Sequence, residues 1–435
     1  MFGKKDSDIE QKNSEVSING ADYDSNKIEE MLKSSAHKVK HKQKMRLKRR
    51  VKMILTAVIS VTLTLATVCF VLRIDLTRLP QQLKIMRRMN RIDTIVSDNY
   101  IDDYDDGSAA DLSAQGYVAS LNDDYAAFYN ESGVEDKKKH NEGEKLGIGI
   151  TIVKNPDNGY VTVVYAESKG PATKAGIKTG DIILECNGLS GKEKSVSEIS
   201  NSIYGKNGKE NKLKLKRGEK IFEMSVKCDE YVADSVTYDV SGDYGIIKIS
   251  SFVDTTYDQF MQCMKALKKL YVKGYIIDLR DNPGGMVDSC TDVLDEIVPK
   301  GELMRVKYKD GSVKVMAKSD DKYDDKPLCV LINGNTASAA EVMSSCIRDF
   351  NRGKIIGEKS FGKGIMQTTY SLPGKTAVKI TTAKVINKDG ESYHKKGIEP
   401  DIKVELTDEQ REHLYLPGSD DPYIKAAVKY LDGIA

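Results

Sequence analysis

The spacing of apolar positions changes several times along the chain, and each change marks an element or a boundary. Residues 1–52 are polar, rich in Lys, Ser, Asp and Asn, and without a period, so they are expected to be disordered. Met53 to Leu72 follows as twenty residues without a charge, MILTAVISVTLTLATVCFVL. Beyond it, Leu83, Met86, Met89, Ile92 and Ile95 recur every three residues, which predicts an amphipathic helix from Leu79 to Tyr100. A second helical stretch runs from Ala110 to Leu121, and the charged run Glu135 to Glu144 reads as a linker. From Lys145 the texture turns to short strands: Ile148 to Val153 and Tyr160 to Val164 flank the turn residues Asn155-Pro156-Asp157-Asn158-Gly159, a hairpin signal. A helix from Ser195 to Tyr204 and a strand from Lys212 to Lys216 close this unit near residue 229. The remainder alternates strand and helix, beginning with the strand Tyr244–Ile249 and a helix from Tyr257 to Leu270 that carries Phe260, Met264, Leu267 and Tyr271 on one face. Such alternation predicts an α/β layered core.

Charge changes the reading of the first segment. The net charge of +2 conceals ten Lys or Arg and no acid between Lys33 and Lys52. A basic run can bind nucleic acid, but this one abuts the apolar twenty-mer, whose length of about 30 Å matches the hydrocarbon core of a bilayer. We expect an uncleaved single-pass transmembrane helix and no nucleic-acid partner. The positive flank places the N-terminus in the cytoplasm and everything after Arg73 outside the cell membrane. The apolar region is too long for a cleaved signal peptide, and no small-x-small cleavage site follows it.

Chemistry narrows the rest. The seven cysteines stand singly, so no disulfide framework, metal site or cofactor is expected. The stretch Gly334-Asn335-Thr336-Ala337-Ser338-Ala339-Ala340-Glu341 lies between the apolar run Cys329–Ile332 and the helical Val342–Arg348. Ser338 therefore sits on a strand-to-helix turn, where backbone N–H groups and the helix dipole receive negative charge. Ser338-x-x-Glu341 equally fits a capping box, a purely structural role. A nucleophilic serine needs a base. The five histidines (His37, His41, His140, His394, His413) lie in the cytoplasmic tail, in the charged run or without a companion motif. Lysine is the alternative, provided burial lowers its pKa from about 10.4 by roughly three units, at a cost of around 4 kcal/mol. Lys363, between two glycines, beside Phe361 and ahead of an apolar strand, is such a lysine; it could equally be an ordinary loop lysine.

Residues 140–230 resemble a PDZ domain, in which a Gly-Φ-Gly loop holds a peptide's terminal carboxylate and the peptide adds as a strand. Leu146-Gly147-Ile148-Gly149 matches that loop. Across residues 80 to 435 the chain resembles the carboxyl-terminal processing peptidases, serine peptidases with a Ser–Lys dyad. The likeness rests on motifs in order: Ser120-Leu121-Asn122-Asp123-Asp124-Tyr125, the PDZ unit, Asp278-Leu279-Arg280-Asp281-Asn282-Pro283-Gly284-Gly285, Ala337-Ser338-Ala339-Ala340-Glu341, Phe361-Gly362-Lys363-Gly364 and Gly397-Ile398-Glu399-Pro400-Asp401.

The resemblance implies Ser338 as nucleophile, Lys363 as general base and Gln367 as the residue orienting the lysine. It implies an oxyanion hole of Gly284, Gly285 and the Ala339 N–H, and a structural role for Asp349 beside a cation. Thr336 and Ala340 stand where the family usually has serines. The implied fold is an α/β layered peptidase core with an inserted PDZ domain, a small β-barrel plus helices, preceded by the transmembrane helix. The implied division is a cytoplasmic tail 1–52, an anchor 53–72, an N-terminal helical region 73–139, the PDZ domain 140–230 and the peptidase core 231–435. Expected partners are the membrane, protein or peptide substrates with accessible C-terminal tails, and a second copy in a homodimer. The rival readings are a catalytically silent PDZ scaffold at the membrane and an esterase using the same dyad.

Overall fold

The computed structural model describes residues 25–71, 79–416 and 420–434. The chain divides into two compact units, Met1–Tyr104 and Asp105–Ala435.

In the first unit the helix Ser25–Val71 runs unbroken from the basic segment into the apolar one. The expectation of disorder thus fails for residues 25–52. The basic run is built largely of Lys, Arg, Gln, Met and Leu, all good helix formers, and an adjoining helix removes the cost of nucleating a new one. Residues 1–24 of the expected tail and Leu72 of the expected anchor lie outside the described residues. This is the one described helix long and apolar enough to cross a membrane. In its apolar part the threonine side chains turn inward on the backbone. The hydroxyls of Thr56, Thr62, Thr64 and Thr67 donate to the carbonyls four residues back at 2.8, 3.0, 2.9 and 2.8 Å, which suits surroundings that offer no other acceptor. The second helix of this unit is Leu79–Asn99.

The second unit is built on a sheet whose strands are ordered Val236–Ser241, Tyr244–Ile249, Gly274–Asp278, Leu328–Ile332, Gly353–Gly357 and Ile402–Lys403. The first pair is antiparallel and the rest are parallel. Gly274–Asp278 and Leu328–Ile332 are buried at every position, as central strands covered on both faces must be. Alternate residues face opposite layers. Tyr275, Ile277, Val330, Ile332 and Ile355 meet helices Thr256–Lys269, Val287–Asp295 and Ala339–Asp349 in one core. Ile276, Cys329, Leu331 and Ile356 meet Tyr423, Ala427 and Leu431 of helix Pro422–Asp432 in another. In such sheets ligands bind beyond the carboxyl ends of the parallel strands. Three neighbouring strands therefore deliver loops 279–286, 333–338 and 358–364 to one edge, and these loops hold the motifs singled out above.

A second sheet joins Ala127–Tyr129, Ala377–Ile386, Gly301–Tyr308 and Val313–Ser319 in that order, with Ile365–Ser371 also paired to Ala377–Ile386. Region 73–139 is consequently not one body: Leu79–Asn99 belongs to the first unit, whereas Ala127–Tyr129 is a strand of the second. The stretch read as a linker is also structured. Glu131–Asn141 is a helix, capped by the Asn130 side chain accepting from the Gly133 N–H (2.9 Å), with Glu131 in its first turn and Lys138, Lys139 and His140 in its last. That charge order complements the helix dipole, so a run that looks solvated is also helix-stabilising.

The third sheet is ordered Ile150–Lys154, Val161–Ala166, Ile182–Cys186, Glu210–Arg217 and Lys220–Lys227, with Leu189–Ser190 beside Ile182–Cys186. Together with helix Val196–Ile203 it encloses a core of its own around Val161, Val163, Ile183, Ile199 and Leu215. The chain enters and leaves this body through one antiparallel ribbon, Glu144–Gly147 against Asp229–Val232, which is the geometry of an insertion.

Candidate active site

Ser338 stands at the start of helix Ala339–Asp349 with φ +56° and ψ −119°, a conformation that costs a non-glycine residue about 1–3 kcal/mol. The turn is held from both sides. The Ala337 N–H donates to the Asn282 carbonyl (2.9 Å), and the Ser338 N–H donates to Glu341 Oε2 (3.0 Å). Ser338 and Glu341 are arranged as a capping box, yet the hydroxyl makes no cap hydrogen bond of its own. The Glu341 N–H donates instead to the Ser338 carbonyl at 2.9 Å. The Glu341 carboxylate thus carries part of the capping expected of this pair. Thr336, one of the positions departing from the family pattern, is fully buried and uses its hydroxyl twice, donating to the Leu279 carbonyl (2.8 Å) and accepting from the Asn333 N–H (3.0 Å).

Gly284 and Gly285 lie against this turn. A Cβ on Gly284, at φ +99°, would come within 2.7 Å of the Ser338 Cβ and 2.8 Å of the Ala339 nitrogen; one on Gly285, at φ +138°, would lie 2.0 Å from the Phe252 carbonyl oxygen. Only glycine fits either position. The structure thus brings Ser338, Ala339, Gly284 and Gly285 together. One expected donor is spoken for: the Gly284 N–H donates to Asn282 Oδ1 at 2.8 Å. Among the described residues the Gly285 and Ala339 N–H groups have no acceptor, and Ala339 owes this to its place in the first helical turn. Behind the loop, Arg280 is buried between Asp278 (2.6 Å) and Asp421 (2.9 Å), with its guanidinium 4.8 Å from the Tyr423 ring. This fixes the loop to helix Pro422–Asp432.

Lys363 reaches the same edge on the loop after Gly353–Gly357. Glu341, fully buried, joins that loop to the serine turn. Its Oε1 accepts from Ser360 Oγ (2.5 Å) and the Gly362 N–H (2.7 Å), and its Oε2 accepts from the Lys363 N–H (2.7 Å) as well as from Ser338. The Lys363 ammonium lies 4.3 Å from the centre of the Tyr125 ring and, among the described residues, makes no hydrogen bond. Burial lowers its pKa from the usual lysine value; the nearby charges of Lys379 and Lys137 act in the same direction, against Asp123 and Glu341. Lys363 and Ser338 are thus tied through Glu341 and not by a hydrogen bond of their own among the described residues.

The contact expected from Gln367 is not made. Its carboxamide donates to Thr381 Oγ1 (3.2 Å), beside a register shift between Met366 and Gln367 that turns the strand. The group facing the lysine is Tyr125, whose motif is conspicuous in the sequence but whose role has no local signal. Asp349 accepts the Lys388 N–H on its side chain (2.9 Å), and the Lys388 ammonium donates to the Asp349 backbone carbonyl (3.3 Å). His413 is engaged with Asp157 (2.9 Å), and burial lowers the His394 pKa. The described cysteines outside the first unit are buried and unpaired, and no described cluster of His, Cys, Asp and Glu could hold a metal ion.

In the inserted body, Leu146 and Gly147 end the ribbon, and Ile148 is buried in the local core. The Ile148 and Gly149 carbonyls accept from Ala172 (2.8 Å) and Glu167 (2.9 Å), while their N–H groups have no acceptor among the described residues. The adjoining strand Ile150–Lys154 is the edge of its sheet, with helix Val196–Ile203 beside it.

Comparison with known proteins agrees with this anatomy. The profile described as a PDZ domain matches residues 145–228, and that of peptidase family S41 matches residues 243–404. The carboxy-terminal processing protease CtpA of Bacillus subtilis (strain 168) is 33% identical over 356 residues, covering 80% of this chain and 76% of the relative. A protein of Staphylococcus aureus (strain COL) named "Probable CtpA-like serine protease" is 28% identical over 349 residues, covering 78% and 70%. A crystal structure from Bacteroides fragilis NCTC 9343 assigned as an S41 protease shares the fold, with a TM-score of 0.53 at 17% identity over 78% of this chain and 92% of that one. A strained serine between strand and helix, a glycine pair against it and a lysine loop held to it thus coincide with family-level similarity along most of the sequence: the chain belongs to the carboxy-terminal processing proteases of peptidase family S41 and is a serine peptidase with a PDZ domain.

Proposed function

We propose that the protein is a membrane-anchored endopeptidase that cleaves extracytoplasmic proteins, or their C-terminal tails, with Ser338 as nucleophile and Lys363 as general base. The observation that carries this reading is the Glu341 carboxylate, which ties the Ser338 turn and the Lys363 loop to one buried group. A neutral Lys363 removes the proton of Ser338 Oγ as the hydroxyl attacks the scissile carbonyl, once the amine swings within hydrogen-bond reach. The proton then passes to the leaving amine. The Gly285 and Ala339 N–H groups receive the oxyanion; a preorganised donor of this kind is commonly worth about 2.7–4 kcal/mol. Gly284 shapes the site by letting the loop approach the serine. Its N–H joins the hole only if Asn282 releases it.

The PDZ domain, inserted over 140–230 in the peptidase unit, takes a substrate terminus on the Ile148 and Gly149 N–H groups, with the peptide adding to the edge strand Ile150–Lys154. The apolar part of Ser25–Val71 spans the membrane with the basic flank inside. The exposed apolar positions Leu83, Met86, Met89 and Ile92 of the following helix offer a face for the homodimer. Ser338→Ala in the full-length protein should abolish peptide hydrolysis while leaving the far-UV circular dichroism unchanged. Retained hydrolysis by that variant would refute the reading, and the silent scaffold would follow if the parent protein cleaved nothing.

A further inference from the structure

An open cleft of about 810 Å³ runs beside the Lys363 loop. Tyr125, which faces the Lys363 ammonium, forms part of its wall, and so does Ile365, two residues beyond the lysine. Four other wall residues are exposed lysines: Lys307, Lys309, Lys384 and Lys395. Strand register brings them together. Lys307 lies directly opposite Lys384 in the antiparallel pair of Gly301–Tyr308 with Ala377–Ile386, and Ile365 lies opposite Lys384 on its other side. Side chains directly opposite share a face, so both ammonium groups stand on the face of Ile365. Lys395 is held at the same place by its N–H, which donates to the Gly362 carbonyl at 2.7 Å, one residue from Lys363.

Like charges directly opposite on antiparallel strands are destabilising. Nothing in the fold relieves this pair: among the described residues none of the four ammonium groups is in an ion pair, and the acidic members of the wall, Asp123 and Asp124, belong to the Tyr125 turn. We propose that the lysines form a subsite for acidic side chains, so that the substrate places Asp or Glu over Lys307, Lys384 and Lys395 while its scissile bond lies at Ser338. The inference rests on the dyad reading and adds a substrate class to it. A uniform polyanion such as a nucleic acid fits less well, because along the cleft it would also meet Asp123 and Asp124.

The test uses the full-length protein in detergent micelles. Two pools of internally quenched peptides, randomised at the central positions, carry either Glu-Glu or Gln-Gln on both flanks. At low ionic strength the Glu pool should be cleaved about fivefold faster, the scale expected of a few exposed ion pairs, and the preference should fall toward unity at 1 M salt. The double variant Lys307→Gln/Lys384→Gln should lose the preference. Its melting temperature should equal or exceed that of the parent, because a like-charge pair has been relieved. Lys314→Gln, next along the strand from the residue opposite Lys307 and so on the other face, should keep the preference. Equal cleavage of both pools at low salt overturns the subsite and leaves the dyad untouched. If neither pool is cleaved, the dyad reading fails, and binding of a labelled Glu peptide to the Ser338→Ala protein still decides the subsite. There, weaker binding to the Lys307→Gln/Lys384→Gln background supports it, whereas unchanged binding, or tighter binding of a single-stranded oligonucleotide than of the peptide, overturns it.

Discussion

Glu341 receives hydrogen bonds from the serine turn and from three nearby groups of the lysine loop, and among the described residues no other side chain joins the two so directly. Its carboxylate is an acceptor at both oxygens, which glutamine is not. Glu341→Gln must therefore turn an amide N–H₂ toward N–H donors. Buried charge-assisted hydrogen bonds of this kind are worth about 1.5–3 kcal/mol each, so we expect a loss of about 2–4 kcal/mol in chemical denaturation together with a collapse of peptide hydrolysis. Wild-type values on both counts would show that the loops are held some other way. Gly284→Ala makes a separate demand. Its methyl group would displace the Ser338 turn, and misplacement by about 1 Å can cost a hundredfold in rate; kcat should fall at least that far with the circular dichroism intact, and near-normal kcat would contradict the geometry. The sequence shows the serine, the lysine and the glycine pair because each sits in a compact motif. It does not show that Tyr125 rather than Gln367 faces the lysine, since that depends on a register shift in one strand pair and on a contact spanning more than two hundred residues.

At the scale of elements, the alternation of strand and helix predicts the layered core because its central strands are continuous apolar runs, and the antiparallel pair Ile150–Lys154 with Val161–Ala166 follows from the hairpin signal. What pattern alone misses is the helix Glu131–Asn141 and the helical basic run, where stability comes from charge order and from propagation rather than from an apolar stripe. One contact between elements is open to titration. The His413 ring, on helix Asp408–His413, meets Asp157 of the PDZ hairpin, and that hydrogen bond, with a second to the Glu409 carbonyl, raises its pKa above 6.5. A raised folded-state pKa means stability fully present below about 6.5 and lost as pH climbs through the higher value. The melting temperature of Asp157→Asn should therefore fall short of the parent at pH 5.5–6 and converge with it at alkaline pH. A gap that persists or widens above neutrality would show that this ion pair is not the contact being titrated.

At the scale of the molecule, the proposed membrane topology can be checked in intact cells: protease added outside should reach residues beyond about 80 and spare a tag at residue 1. Digestion of the tag with protection of the PDZ region would reverse the orientation. The central claim, however, is the Ser–Lys dyad, and it stands or falls on the base. The most direct measurement is the rate of peptide hydrolysis by purified Lys363→Ala and Lys363→Arg proteins, beside His394→Ala and His413→Ala, over a range of pH. A guanidinium stays protonated and cannot act as base. The account predicts that both lysine variants are inactive, that both histidine variants turn over, and that parent activity rises with pH as Lys363 loses its proton. Sustained turnover by Lys363→Ala would contradict it and leave Ser338 with its structural role at the head of a helix.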